Sequence, residues 1–306
     1  MLVEKYGLDN NCPQVDVTAY ILDDSPELLN GKKRPAIIIC PGGAYLFCSD
    51  REGEAVALRF AAMGYHAFVL RYHVQVNERL ALEEAFQKGI VPREDTVFPA
   101  QIRDIAKVFT LLHDKEEEWL VDTDKIALCG FSAGGNNVTN YAVHWNKSIL
   151  TNEFNKAKLQ PAAVIAGYPV TDYISHQEAV RSQDEMSQAL FKTANRVFFG
   201  TSEPTADQLL QASSACLVDE ATPPMFIWAT AGDRLVGVDQ STRLATALAI
   251  QKIPFELHIF EEGEHGLALA TQATARKASH IDSAARRWID LAEIWLEKRF
   301  ALPLED

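Results

Sequence analysis

Short, unbroken apolar runs recur along the chain, and most are followed by a stretch whose apolar residues return every three or four positions. Ala36-Ile37-Ile38-Ile39-Cys40, Ala67-Phe68-Val69-Leu70, Ile126-Ala127-Leu128-Cys129, Ala162-Ala163-Val164-Ile165-Ala166 and Met225-Phe226-Ile227-Trp228-Ala229 have the character of strands buried on both faces. Phe255 to Phe260 adds a further strand, and the alternation over 15–22 predicts an early antiparallel strand at the sheet edge. Between them lie an amphipathic helix from Glu52 to Met63 closed by Gly64, and a helical stripe of Ile102, Ile105, Phe109 and Leu112. A second stripe joins Val138, Tyr141, Ala142 and Trp145; a helix over 239–251 follows, then a long closing helix carrying Ile281, Ala285, Trp288, Ala292 and Trp295. Strands alternating with helices predict an α/β fold with a mostly parallel, doubly wound sheet flanked by helices.

Two polar stretches interrupt this rhythm. Residues 73–97 are irregular, with a candidate short helix around Leu80–Gln87, and residues 172–220 are helical and polar without a strong strand. Both read as cap or lid insertions, or as contacts in a homodimer. The charged run Asp114–Glu118 reads as a solvated helix end. No internal repeat and no Gly/Ser- or Pro-rich linker divides the 306 residues, so 1–306 is read as one domain.

Composition narrows the choice of partner. The net charge is −13, and the only basic cluster is Lys32-Lys33-Arg34, which argues against a nucleic acid or an anionic membrane surface. No apolar run reaches spanning length, and the first residues lack a signal-peptide core, so the expected location is cytoplasmic. The five cysteines are scattered without a C-x-x-C and read as reduced thiols. Metal-binding H-E-x-x-H and phosphate-binding glycine patterns are missing from the sequence, so no metal and no cofactor is expected.

The chemistry concentrates at the ends of the apolar runs. Gly130-Phe131-Ser132-Ala133-Gly134 is a G-x-S-x-G between a buried strand and a helix, the pattern of a nucleophile elbow. Its serine would sit at the positive end of the following helix, with the N–H of Ala133 beside a developing oxyanion. Pro41-Gly42-Gly43-Ala44-Tyr45 directly follows a buried strand, where N–H groups of Gly43 and Ala44 could complete the oxyanion hole. A serine needs a base, and a histidine base needs an acid behind it, in the chain order Ser, Asp, His. Asp233 ends the Met225–Ala229 strand, and His265 lies in the Gly-flanked loop after the last strand; Asp172 is the rival acid, and Asp239 reads as a helix cap. His66, His73, His113, His144, His176 and His280 read as surface or structural, His258 as part of a strand, and Cys129 as core. Tyr45, Phe131 and Tyr168 flank these loops and are candidate substrate-binding residues.

With these positions in place, the sequence resembles the α/β-hydrolase superfamily, and within it the bacterial acetyl-xylan-esterase-like and BD-FAE-like esterase/lipase group. The resemblance is carried by Pro41–Tyr45, Phe98–Asp104, Cys129–Gly135, Pro223–Trp228, Phe255–Phe260 and Gly263–Gly266, which together span most of residues 35 to 270. It implies hydrolysis of short-chain, acetyl-like carboxylic esters through an acyl-serine intermediate, with Ser132, Asp233 and His265 as the triad. Two departures leave pocket shape open: Pro41 and Ala44 stand where relatives often carry His and a third Gly, and no Pro follows Val236. The alternatives are amide hydrolysis by the same machinery, as in an arylformamidase, and a non-catalytic binding protein on a hydrolase fold.

Overall fold

The computed structural model describes residues 1–76, 90–302 and 304. Eight strands form one sheet: β1 (Leu2–Gly7), β2 (Asp16–Ile21), β3 (Arg34–Cys40), β4 (His66–Arg71), β5 (Val121–Phe131), β6 (Ala163–Gly167), β7 (Met225–Thr230) and β8 (Phe255–Phe260). Their spatial order is β1-β2-β4-β3-β5-β6-β7-β8. The pairs β1–β2 and β2–β4 are antiparallel and the rest are parallel, which is the mostly parallel sheet that the apolar runs predict.

Alternation along the central strands explains why their sequences are apolar throughout. Ile38 and Cys40 join one core with Leu128, Val164 and Ile227, while Ile37 and Ile39 join a second core with Cys129, Ile165 and Trp228. A strand covered on both faces has no position left for a polar side chain. Seven helices of eight or more residues occur among the described residues: α1 (Glu54–Ala62), α2 (Ala100–Asp114), α3 (Ala133–His144), α4 (Tyr173–Val180), α5 (Glu185–Phe199), α6 (Asp239–Ile250) and α7 (Trp288–Phe300). Helices α2, α3 and α6 pack on the first face through Ile102, Phe109, Val138 and Leu244. Helices α1 and α7 cover the other through Phe60, Trp288 and Trp295.

Several boundaries differ from the sequence expectation. The strand β1 was not anticipated; its residues are nearly all exposed, so its pattern carries no burial signal. The closing helix begins at Trp288, after two short 3-10 turns, and Ile281 is left exposed on the surface. Asp172 caps α4 by accepting the Ser175 N–H at 3.0 Å, whereas Asp239 is the first residue of α6 and makes no side-chain cap. The candidate helix at 80–87 lies outside the described residues. No helix among the described residues is long and apolar enough to cross a membrane. All five cysteines are free thiols.

Candidate active site

The site lies beyond the carboxyl ends of β3, β5, β7 and β8, where a doubly wound sheet opens its ligand crevice. Ser132 sits between β5 and α3 with φ +53° and ψ −118°, in the left-handed half of backbone space that an L-residue adopts only under constraint. The constraint is visible on both sides. Its N–H donates to the Gly167 carbonyl on β6 at 3.0 Å, and its own carbonyl accepts the Asn136 N–H at 2.9 Å to start α3. The flanking glycines are required by close approach. A Cβ on Gly130 would lie 2.1 Å from the Gly134 carbonyl oxygen, and one on Gly134 would lie 2.0 Å from that of Cys40.

Ser132, His265 and Asp233 come together although they are far apart in sequence. His265 Nε2 lies 2.7 Å from Ser132 Oγ, and its Nδ1 lies 2.6 Å from Asp233 Oδ2. Asp233 is 7% exposed, and its other oxygen accepts the N–H groups of Leu235 and Val236 at 2.9 and 3.0 Å. That leaves Oδ2 alone to meet the imidazole, which fixes the carboxylate's orientation. Burial works against a charged His265, but the charge and hydrogen bond of Asp233, and then the charge of Glu52, outweigh it and hold its pKa above the ordinary value. The neutral tautomer that donates from Nδ1 to Asp233 leaves Nε2 able to accept the serine proton.

The glycine loop folds tightly beside the serine. The Gly43 carbonyl accepts the Leu46 and Phe47 N–H groups, and a Cβ at Gly43, φ +134°, would lie 2.0 Å from the Phe47 carbonyl oxygen. Ala44 and Tyr45 also have positive φ, +54° and +61°. Among the described residues the N–H groups of Gly43, Ala44 and Ala133 donate to no protein group. Ala44 and Ala133 line, with Ser132, a largely apolar cavity of ≈ 60 Å³. Tyr173 and Val180 of α4, Phe191 of α5, and Leu235 and Val236 form much of its remaining wall.

Of the three aromatic residues singled out in the sequence, only Tyr45 lines this cavity. Its ring stacks on Phe198 at a centroid distance of 4.0 Å, and its hydroxyl donates to Asn136 Oδ1 at 2.5 Å. Phe131 is fully buried on the other face of the sheet against Trp288, and Tyr168 lies behind His265, edge to face at 5.0 Å. Phe131 is the last residue of β5 and follows the strand's alternation to the far face, whereas Tyr168, just past the end of β6 with φ +38°, is placed by packing against Trp228 and His265.

Sequence reasoning missed two residues here. His176, read as surface or structural, is 4% exposed in α4 and lines the cavity, where burial drives its pKa down to about 4. Glu52, read only as the first residue of an amphipathic helix, is 3% exposed and sits in a 3-10 turn before α1, hydrogen-bonded to Gly42 N–H and to the Tyr168 hydroxyl. An acidic residue at a helix start is an ordinary surface feature, so nothing local distinguished it.

Elsewhere, Cys12, His73 and Asp95 place possible metal-ligand atoms within 4.8 Å of one another. The Arg93 guanidinium already donates to Cys12 Sγ at 3.1 Å and to Asp95 at 2.9 Å, supplying positive charge from the chain itself.

The eight-stranded, mostly parallel sheet with its flanking helices has the architecture of the α/β-hydrolases, and the solved structures it resembles include carboxylesterases. The BD-FAE family model matches residues 89–248, and the chain belongs to that family. The carboxylesterase Cest-2923 from Lactobacillus plantarum WCFS1 is similar over 98% of both chains, with 27% identity and a TM-score of 0.77. MGS-M1, an α/β-hydrolase enzyme from a Medee basin deep-sea metagenome library, is 32% identical over 97% of both chains, with a TM-score of 0.71. The acetylxylan esterase of Xylanibacter ruminicola is 25% identical over 248 residues, 80% of this chain and 43% of that protein. The chain spans between a third and under a half of the length of the curated relatives it matches.

Proposed function

We propose that the chain hydrolyses carboxylic esters with short acyl groups, using Ser132 as nucleophile, His265 as general base and acid, and Asp233 as the acid behind it. The observation that carries this reading is the continuous hydrogen-bonded line from Ser132 Oγ through His265 to Asp233, at 2.7 and 2.6 Å. As Ser132 Oγ attacks the ester carbonyl, its proton passes to His265 Nε2 and the carbonyl π pair moves onto oxygen. The resulting oxyanion is met by N–H groups of Ala133, Gly43 and Ala44. Collapse of the tetrahedral adduct breaks the bond to the alcohol oxygen, which takes the proton from His265 and leaves an acyl-serine. Water then repeats the sequence, with His265 taking its proton, and releases the acid and free Ser132.

The short-acyl preference is supported by the small, apolar cavity beside Ser132 and by the similarity to a protein named as an acetylxylan esterase. It is tested with p-nitrophenyl esters from acetate to octanoate on wild type and Ser132→Ala side by side. Turnover that falls with chain length and vanishes in the variant is the expected result. Wild-type turnover no higher than the variant's on every ester would refute it, and the same pair assayed on N-formylkynurenine would then reveal an amide substrate.

A further inference from the structure

The geometry points to Glu52 as a positioning residue that holds the glycine loop and the His265 loop in register about Ser132 through one buried carboxylate. The inference rests on the esterase reading above and adds to it a residue outside the triad and the oxyanion donors.

The carboxylate bridges the glycine loop that follows β3 and Tyr168, which follows β6. Oε2 accepts the N–H of Gly42 at 2.7 Å, and Oε1 accepts the Tyr168 hydroxyl at 2.7 Å. Gly42 is wedged between this group and the nucleophile: a Cβ there would lie 2.8 Å from Glu52 Oε2 and 2.9 Å from Ser132 Cβ. Its neighbours Gly43 and Ala44 carry the N–H groups assigned to the oxyanion, so a displaced Gly42 displaces them. On the other side, the Tyr168 hydroxyl accepts the N–H of Ala268 at 2.9 Å, three residues beyond His265, while the Tyr168 ring packs edge-on to the imidazole. The adjacent Arg51 grips the same segment by donating to the Thr274 carbonyl at 2.6 Å.

Both oxygens face donors, and the Tyr168 hydroxyl is already occupied as an acceptor from Ala268. This is the arrangement of an ionised carboxylate. Burial pushes the Glu52 carboxyl up from its ordinary value, opposed by the Tyr168 and Gly42 hydrogen bonds and by the charges of His265 and Arg51. The groups that act on the imidazole are therefore Asp233 at Nδ1, Ser132 at Nε2, the edge of Tyr168, the Glu52 charge, and His176 from α4, which is neutral above about pH 4. Glu52 favours the imidazolium that forms as the serine attacks, in addition to holding the two loops.

The test compares Glu52→Gln and Glu52→Asp with wild type, all titrated with a fluorophosphonate so that rates refer to reactive Ser132. Labelling and ester turnover by wild type are checked first, since their absence would refute the esterase reading and not this one. Glu52→Gln keeps the shape and loses the charge, so the acid limb of kcat/KM moves to lower pH and kcat falls about 10- to 100-fold with little change in KM. Glu52→Asp keeps the charge but cannot span both partners; it loses kcat to a similar degree while its acid limb stays closer to the wild-type position. Tyr168→Phe, which removes one hydroxyl and keeps the ring, loses kcat in the same direction and serves if the Glu52 variants do not fold. Variants that merely lower the melting temperature, with wild-type kcat per titrated serine and an unmoved acid limb, would overturn the inference.

Discussion

The close approach of α3 to β3 makes Gly134→Ala a stringent test of how Ser132 is held. Gly134 lies in the first turn of α3 with an ordinary helical backbone, where alanine would normally stabilise by about 1 kcal/mol. Here its Cβ would lie 2.0 Å from the Cys40 carbonyl oxygen and 2.5 Å from that of Pro41. Both are backbone atoms, and Cys40 ends a strand paired with β4 on one side and β5 on the other, so neither oxygen can yield alone. Relief requires a shift of about 1 Å or more between the elbow and the glycine loop. Overpacking of this kind costs about 1–3 kcal/mol, and the helical gain of about 1 kcal/mol offsets only part of it. At about 2.1 cal/mol/K of unfolding entropy per residue over 306 residues, a net loss of about 2 kcal/mol, the upper end of that range, lowers the melting temperature by about 3 °C. The same shift moves Ser132 against the Gly43 and Ala44 N–H groups, and a misplacement of this size costs about 100-fold in rate. Thermal unfolding and p-nitrophenyl acetate hydrolysis measured on one preparation check both figures. Gly7→Ala, where an added Cβ meets nothing within 4 Å, is the control expected to retain activity. A Gly134→Ala protein as stable and as active as wild type would refute the reasoning.

Two further outcomes follow from the same geometry. Asp233→Asn removes the charge that does most to hold the His265 pKa up, so the acid limb of kcat/KM moves to lower pH; the amide also competes for the wrong tautomer, and kcat falls about 10³- to 10⁴-fold with the serine still in place, as a pH–rate profile would record. His66, whose Nδ1 accepts the Leu22 N–H, has its pKa lowered to about 4 by burial and then by the charge of Arg34. As pH falls from about 6.5 toward 4, the unfolded chain takes up a proton that the folded chain refuses. His66 therefore withdraws about 2–3 kcal/mol of stability between pH 7 and 4.5, a loss that urea unfolding should find largely absent in His66→Gln.

The elbow was legible because its demands are local: two glycines, a serine and the switch from strand to helical spacing lie within a dozen residues. The strands of the sheet core were legible for a related reason, since burial on both faces leaves them apolar at every position. Chain order and strand ends narrow the candidates for acid and base to a few residues, and Asp233 and His265 are the ones that the structure brings into line with Ser132. What the chain alone could not tell was which side chains would meet across those strand ends. Asp172 and Asp233 look alike as acids after successive strands, and only the fold turns one into a helix cap and sets the other against an imidazole. Tyr45, Phe131 and Tyr168 look alike as aromatics beside site loops, yet pleat and packing send one to the cavity, one to the core and one behind His265. Glu52 and His176 carried no local mark, because burial of a titratable side chain is a property of what packs over it from elsewhere in the chain. Local sterics and periodicity thus determine the elements and the turn that carries Ser132, whereas long-range packing decides charge, orientation and the shape of the cavity.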